Sequence, residues 1–169
     1  MYGNRQRTAL ITYSATFIAL ITVGSWVSIP FFPVPLTLQT LFVLLSGALL
    51  KRYGAIPVLL YVLLGALNLP VFHNGLAGIG ILLGPTGGYI VGFVPAALIA
   101  GLAYESSSNA VRLAGLSAGS LIILLTGMAY LSFSTGMPLV AALVGGMLIF
   151  IPGDLLKAGA AYTLAKRFP

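Results

Sequence analysis

Long apolar runs, each ended by proline, glycine or charge, follow one another along almost the whole chain. About 20 mainly apolar residues are needed for a helix to cross a bilayer, and shorter helices suffice beside a cavity or a broken segment. The pattern predicts six crossings. Their approximate ranges are 8–29, 37–52, 55–67, 87–104, 112–133 and 152–166.

Three segments do not fit a regular span. The stretch 68–85 is apolar but rich in Gly, Pro and Asn, so we expect a re-entrant or lid segment there. The run 105–109 is polar and predicts an aqueous loop. Residues 139–150 predict a short apolar helix that ends before Pro152, because proline is favourable in a first helical turn and unfavourable in a helix interior.

Composition places the chain in the membrane. Of its residues 59% are hydrophobic and only 6% are charged, with a mean hydropathy of +1.09, whereas soluble domains have about 25% charged residues. The length of 169 residues suits a single transmembrane domain over 1–169. The fold class predicted is therefore an all-α integral membrane protein with six transmembrane helices, a Gly-rich outer lid and a short broken helix before helix six.

The basic residues indicate the orientation. Seven of the eight Lys and Arg residues fall on the side of the predicted topology that holds both termini. Cytoplasmic loops carry an excess of Lys and Arg, so both termini of this multi-pass cell-membrane protein are expected in the cytoplasm. A net charge of +6 distributed in this way does not indicate nucleic-acid binding.

Reactive residues are scarce. The chain has no Cys, one His and two acidic residues, too few for a metal site or a catalytic triad. No enzymatic activity, metal or cofactor is therefore expected. The segment Gly84 to Tyr89 resembles a phosphate loop only superficially, since no Lys-Ser/Thr pair follows it. The chain is not expected to hydrolyse ATP by itself.

Asp154 and Lys157 are the residues that most need an explanation. Their i, i+3 spacing puts them on one helical face, and ionisable residues inside a membrane are costly and usually functional. One interpretation is a structural ion pair. The other is a ligand site, where an acidic acceptor and a cationic donor meet a small solute with N–H groups and a carboxylate.

Weaker candidates accompany this pair. Asn74 precedes a glycine and fits either a turn or a ligand-binding amide, and the neighbouring His73 is interpreted as an outer-loop residue. Tyr89 could close over a ring-shaped ligand. Ala15 and Ala19 form a small-x-x-x-small pair that allows close helix packing.

Four ordered motifs resemble those of the BioY family, the biotin-binding S components of energy-coupling factor (ECF) vitamin transporters. The resemblance covers about residues 8–166. The motif segments lie at 34–41, 65–72, 84–89 and 152–157. Membership implies a six-helix protein that captures biotin outside, with a separate transmembrane coupling protein and two ATPases that energise its release inside.

The resemblance also implies a site. The family's polar positions match Asp154 and Lys157, and its loop asparagine matches Asn74. Tyr89, Gln39 and Phe72 are candidates to line the wall around the ligand. Ala15 and Ala19 resemble the motif through which S components dock on the coupling protein, while internal packing is the alternative.

Two other functions stay open from the sequence. The chain could be a stand-alone biotin facilitator without an energy module. It could also be a small ion-coupled solute transporter in which Asp154 titrates.

Overall fold

The computed structural model describes residues 2–168, most of them helical. These residues form eight α-helices, with short 3₁₀ or π segments between some of them. The α-helices are α1 (Tyr2–Trp26), α2 (Gln39–Leu50), α3 (Ala55–Ala66), α4 (Ile79–Leu83), α5 (Gly87–Ala103), α6 (Asn109–Thr135), α7 (Leu139–Leu143) and α8 (Ile151–Ala165). Strands β1 (Ser28–Ile29) and β2 (Leu36–Thr37) pair antiparallel.

The short helices α2 and α3 form a hairpin. The Ser46 hydroxyl donates to the Gly54 carbonyl at 2.8 Å near the turn, and the Gln39 amide donates to the Tyr61 hydroxyl at the open end. The turn is the 3₁₀ segment Lys51–Gly54. Each helix has 12 residues, about 18 Å at 1.5 Å per residue, which is shorter than a usual membrane span.

Within the described residues, four helical segments are long and apolar enough to span a membrane, namely Arg7–Trp26, Gln39–Ala66, Asn109–Thr135 and Leu139–Ala165, and α5 is a shorter apolar helix. The second of these contains the α2–α3 hairpin, so the architecture is compatible with the six predicted crossings. The α2–α3 turn, the loop after α5 and the end of α8 share one end of the bundle.

Several predicted boundaries are corrected. The first helix ends at Trp26 rather than Ile29, because residues 28–29 pair with residues 36–37. The second begins at Gln39 rather than at Thr37, and Leu38 is its N-cap. The fifth crossing extends over Asn109–Thr135. The segment 139–150 is α-helical only over Leu139–Leu143 and then a π-helix over Val144–Leu148.

The break before the last helix is present. Helix α8 starts at Ile151 with Pro152 in its first turn, where the missing N–H costs little. Elsewhere in the core, two aromatic rings closely approach glycines. The Tyr89 ring lies against Gly127 of α6, and the Phe72 ring lies against Gly65 of α3; a side chain at either glycine would collide with the ring.

Candidate substrate-binding site

A cavity lies at the end of the bundle opposite the α2–α3 turn. Helices α2 and α5 begin at this end, and α8 begins here after the break. Its walls enclose about 490 Å³ including the mouth, of which about 50 Å³ is roomy enough for the centre of a water molecule. Sites for small ligands are usually concave, with apolar walls and a few placed polar groups. The polar lining residues are Thr37, Gln39, Thr40, His73, Thr86, Tyr89, Asp154 and Lys157, and the apolar ones are Val34, Pro35, Ile90, Phe93, Ile123, Leu124 and Phe150.

Asp154 and Lys157 form an ion pair on the cavity wall. Lys157 Nζ donates to Asp154 Oδ1 at 3.0 Å, and the two side chains are 14% and 5% exposed, respectively. The Thr40 hydroxyl donates to the same oxygen at 3.3 Å. Among the described residues none donates to Asp154 Oδ2. This carboxylate therefore has one oxygen saturated by protein and one able to accept hydrogen bonds from a ligand.

Gln39 is held by hydrogen bonds at both ends of its amide. Its Nε2 donates to the Tyr61 hydroxyl, and its Oε1 accepts from the Thr37 hydroxyl at 3.1 Å. Tyr61 in turn donates to the Val71 carbonyl at 3.0 Å. This chain of bonds ties the start of α2 to α3 and to the beginning of the predicted lid, so the amide that faces the cavity has a fixed orientation.

Tyr89 forms the aromatic wall. It is buried in the first turn of α5, and its hydroxyl donates to the carbonyl of Gly146 in the π segment. The ring of Phe150 lies 6.2 Å from the Tyr89 ring, centroid to centroid. The irregular segment before α8 is thereby linked to the cavity, and the ring can pack against an apolar or ring-shaped part of a ligand.

Phe72 is not among the residues that line the cavity, so its role as a wall residue stays a prediction. Its side chain is fully buried in the core, 5.6 Å from Tyr61 in an edge-to-face arrangement. The physical reason is Gly65, whose missing side chain leaves the space that the Phe72 ring fills.

Asn74 lies at the surface of the predicted lid and is outside the cavity wall. It adopts a left-handed conformation, with φ of 56°, in the turn His73–Gly75, and its Oδ1 accepts from the Ser28 hydroxyl at 3.0 Å. Its turn role is thus present in the structure. A role in ligand binding stays a prediction, and it is His73, one residue earlier, that reaches the cavity.

A family model described as the BioY family matches residues 3–169. The chain belongs to the BioY family. Its relatives include the probable biotin transporter BioY of Pyrococcus horikoshii, 41% identical over 158 residues that cover 93% of this chain and 94% of that protein. The biotin transporter BioY of Thermotoga maritima is 53% identical over 94 residues, which cover 55% of this chain and 56% of that protein.

A solved structure agrees with this family assignment. The crystal structure of the S-component for biotin from an ECF-type ABC transporter superposes with a TM-score of 0.88 at 32% identity. The match covers 97% of this chain and 92% of that chain. The similarity extends over the whole BioY fold described above, including the elements that form the cavity.

Ala15 and Ala19 lie on the outer surface of this BioY family member. Both are exposed, whereas Ser14 and Phe17 on the same helix are buried. The pair therefore does not pack inside the described bundle. Its face of α1 is open to lipid or to another protein.

Thr40 and His73 are cavity residues of this BioY chain that the sequence did not single out for binding. Thr40 is 8% exposed in the first turn of a strongly apolar helix. Its position in the sequence, a polar residue beside Gln39 in an otherwise apolar helix, could have indicated a binding role. His73 offered no comparable signal, because its position depends on how the lid folds over the start of α5.

Proposed function

We propose that this chain is the membrane-embedded subunit that captures biotin outside the cell and delivers it inward. The observation that carries the proposal is the buried Asp154–Lys157 pair on the wall of a cavity that polar and apolar side chains line in similar numbers, with no donor to Asp154 Oδ2 among the described residues. The relatives named biotin transporters and the biotin S-component of the same fold support the choice of ligand.

The chemistry of biotin is complementary to this lining. Its ureido ring carries two N–H donors and a strong oxygen acceptor, and its side chain ends in a carboxylate. We infer that Asp154 Oδ2 accepts from a ureido N–H, and that Lys157 donates to the ureido oxygen or to the carboxylate. Tyr89, Ile90 and Phe93 supply the apolar wall for the sulfur ring and the alkyl chain.

Gln39 and Asn74 complete the proposed site in different ways. The amide of Gln39 faces the cavity with a fixed orientation. Asn74 lies on the outer side of the segment whose His73 lines the cavity, so it reaches biotin only if this lid moves inward. The lid segment 68–85 thus separates the cavity from the exterior in the proposal.

The proposed orientation places both termini in the cytoplasm. Lys51, Arg52, Arg112 and Lys166 share one end of the bundle, and basic residues near helix ends favour the cytoplasmic side. The cavity mouth and the lid are then directed outward. This arrangement suits capture of a scarce solute from outside.

Energy for release comes, in this proposal, from a separate transmembrane coupling protein and two ATP-binding subunits. The sequence has no phosphate-loop lysine motif, and the related crystal structure is itself described as an S-component of an ECF-type transporter. The exposed Ala15 and Ala19 suit docking on the coupling protein, because small residues allow helices to approach closely. The proposed role is transport without catalysis.

Isothermal titration of the detergent-purified protein with biotin tests the proposal, with Asp154→Asn as the test variant. Glu105→Gln is the matched control, since Glu105 is the other acidic residue of the chain and belongs to an exposed ion pair. Saturable binding that Asp154→Asn abolishes and Glu105→Gln retains is expected. An absence of binding by folded wild-type protein would overturn the biotin assignment, and substrate-independent cation flux in liposomes would then favour the ion-coupled alternative.

A further inference from the structure

The charges of the chain leave several cations without a carboxylate. The sequence has eight Lys and Arg residues but only two acidic ones. Glu105 accepts two hydrogen bonds from the Arg52 guanidinium, at 2.5 and 2.7 Å, and Asp154 is paired with Lys157. No other basic side chain in the described part of the chain forms an ion pair with a carboxylate, although the charge of Lys51 helps to lower the pKa of the Glu105 carboxyl.

Three of these cations line one cavity at the basic end of the bundle. Lys51 comes from the α2–α3 turn, Arg112 from the start of α6 and Lys166 from the end of α8. The cavity encloses about 890 Å³ including its mouth, and about 410 Å³ of that is roomy enough for the centres of water molecules. It is larger than the substrate cavity and lies at the other end of the bundle.

Aromatic rings hold two of the cations in place. Arg112 Cζ lies 5.4 Å from the centroid of the Tyr104 ring, and Lys166 Nζ lies 4.4 Å from that of Tyr162. Such contacts orient a cation by the negative face of the ring. Arg112 Nε also donates to the Ser106 carbonyl at 2.8 Å, and this leaves the terminal nitrogens of the guanidinium for another acceptor.

The Tyr104 hydroxyl is the second, independent indication of a ligand. Tyr104 is 7% exposed, lines the same cavity, and its buried oxygen has no hydrogen-bond partner among the described residues. Buried polar atoms normally have a partner. An unpaired hydroxyl beside unpaired cations fits an anion with several acceptor oxygens.

We propose that this cavity binds the phosphate group of an anionic phospholipid, with Arg112 and Tyr104 donating to the phosphate oxygens and Lys51 and Lys166 neutralising its charge. Arginine binds phosphate through parallel N–H donors, and basic pockets between transmembrane helices on the cytoplasmic side suit lipid headgroups. The apolar Leu49 lines the cavity too, as does Phe168, which is 64% exposed. These side chains suit the acyl chains of a lipid better than they suit free phosphate.

Native mass spectrometry of the purified protein, released from micelles with equal amounts of phosphatidylglycerol and phosphatidylcholine, tests the proposal. Wild type is expected to retain one phosphatidylglycerol in preference to phosphatidylcholine. Arg112→Gln should lower that retention at least tenfold, and the nearly isosteric Tyr104→Phe several-fold. Arg7→Gln, which removes a charge near the same end but outside the cavity, is the matched control and should change nothing.

Three outcomes would overturn the proposal, provided that gel filtration and thermal unfolding show each variant to be folded. Equal retention of the two lipids would exclude a phosphate-specific site. An equal loss of phosphatidylglycerol retention in Arg7→Gln and Arg112→Gln would show that general surface charge, and not this cavity, retains the lipid. If inorganic phosphate at millimolar concentration displaced the lipid and raised the melting temperature as much as phosphatidylglycerol does, the cavity would be a site for free phosphate.

Discussion

Lys157 Nζ lies 3.0 Å from Asp154 Oδ1 on the cavity face of α8, and both side chains are largely withdrawn from solvent. Removing one partner of a buried ion pair leaves an unpaired charge and typically costs about 3–5 kcal/mol of stability. A ligand that brings both donors and acceptors can take over part of this pairing. The pair is therefore both a structural element of α8 and the proposed recognition element for biotin.

The first prediction concerns Lys157→Met, which keeps the length of the side chain and removes its charge. Hydrogen bonds to charged groups contribute about 1.5–3 kcal/mol, and each 1.4 kcal/mol is tenfold in affinity, so biotin binding should weaken about 10–100-fold. Titration calorimetry with biotin and with its methyl ester measures the effect. A larger loss for biotin than for the ester would place Lys157 at the carboxylate, and equal losses would place it at the ureido ring.

Unchanged affinity for both ligands would remove Lys157 from the site. The matched control is Lys166→Met, at the opposite end of the bundle, which should bind biotin like wild type.

The second prediction is that Asp154→Asn and Lys157→Met are not additive in stability. Asp154→Asn alone leaves the Lys157 ammonium without its carboxylate, so thermal unfolding in detergent should occur at a lower temperature. Adding Lys157→Met should restore part of the loss, with a coupling of about 0.5–3 kcal/mol, as is typical of residues in contact. Additive losses would show that the 3.0 Å contact contributes no stability.

The pairing of Asp154 with Lys157 could be predicted because it depends on local geometry. An i, i+3 spacing after a proline in the first turn fixes both side chains on one face of α8, and the structure has them in contact. The position of Phe72 could not be predicted in this way. It depends on the space left by Gly65 on another helix, and an apolar residue in a loop fits a core as well as a ligand wall.

Non-local pairing also explains the misplaced helix boundaries. Apart from Ser28 the residues from Trp26 to Ile29 are apolar, and the first proline is Pro30, so no local signal ends the helix at Trp26. The helix ends because Ser28 pairs with Thr37. Thr37 lies eight residues after Ile29, the last residue of β1, so this pairing is not visible in the local sequence. The π segment before α8 likewise has no clear local signal; its Gly146 carbonyl accepts from Tyr89, a residue of α5.

The third prediction is that Tyr89→Phe lowers stability more than it lowers biotin affinity. The change removes the hydroxyl that donates to the Gly146 carbonyl and keeps the ring on the cavity wall. Leaving a buried acceptor unpaired costs about 1–3 kcal/mol, which thermal or denaturant unfolding would detect.

Tyr130→Phe is the control for this change, because the Tyr130 hydroxyl forms no hydrogen bond in the described chain while its ring contacts Phe133. Its stability should match that of wild type. If Tyr89→Phe instead weakened biotin binding and left unfolding unchanged, the hydroxyl would act on the ligand and not on the π segment.

The fourth prediction concerns the exposed face of α1. Ala15→Leu and Ala19→Leu should leave biotin binding intact, because neither side chain points into the bundle. Both should abolish energised uptake in cells that also produce the coupling protein and the ATPases, since a larger side chain prevents close helix approach.

Ala114→Leu makes the same change on an exposed face of α6 and should leave uptake unchanged. Reduced biotin binding by the α1 variants would contradict the docking role and indicate that the pair supports the fold. Normal uptake would show that the coupling protein binds elsewhere.

The fifth prediction concerns the ion pair between the α2–α3 turn and the loop after α5. Hydrogen bonds from the Arg52 guanidinium lower the pKa of the Glu105 carboxyl below its ordinary value. A carboxyl whose pKa is lower in the folded state adds stability above its unfolded pKa, and this contribution is lost as the pH falls through the folded value. The pair is solvent-exposed, so the contribution to stability is small.

The titration itself can still be observed cleanly. Because Glu105 is the sole glutamate of the sequence, ¹³C-glutamate labelling gives one carboxyl resonance whose shift follows its protonation. Arg52→Gln should move the midpoint upward toward the ordinary value for glutamate, whereas Arg7→Gln, which removes an equal charge away from the pair, should leave it in place. The same midpoint in Arg52→Gln and wild type would mean that Arg52 does not hold Glu105 in solution, and that the turn and the loop are joined by helix packing alone.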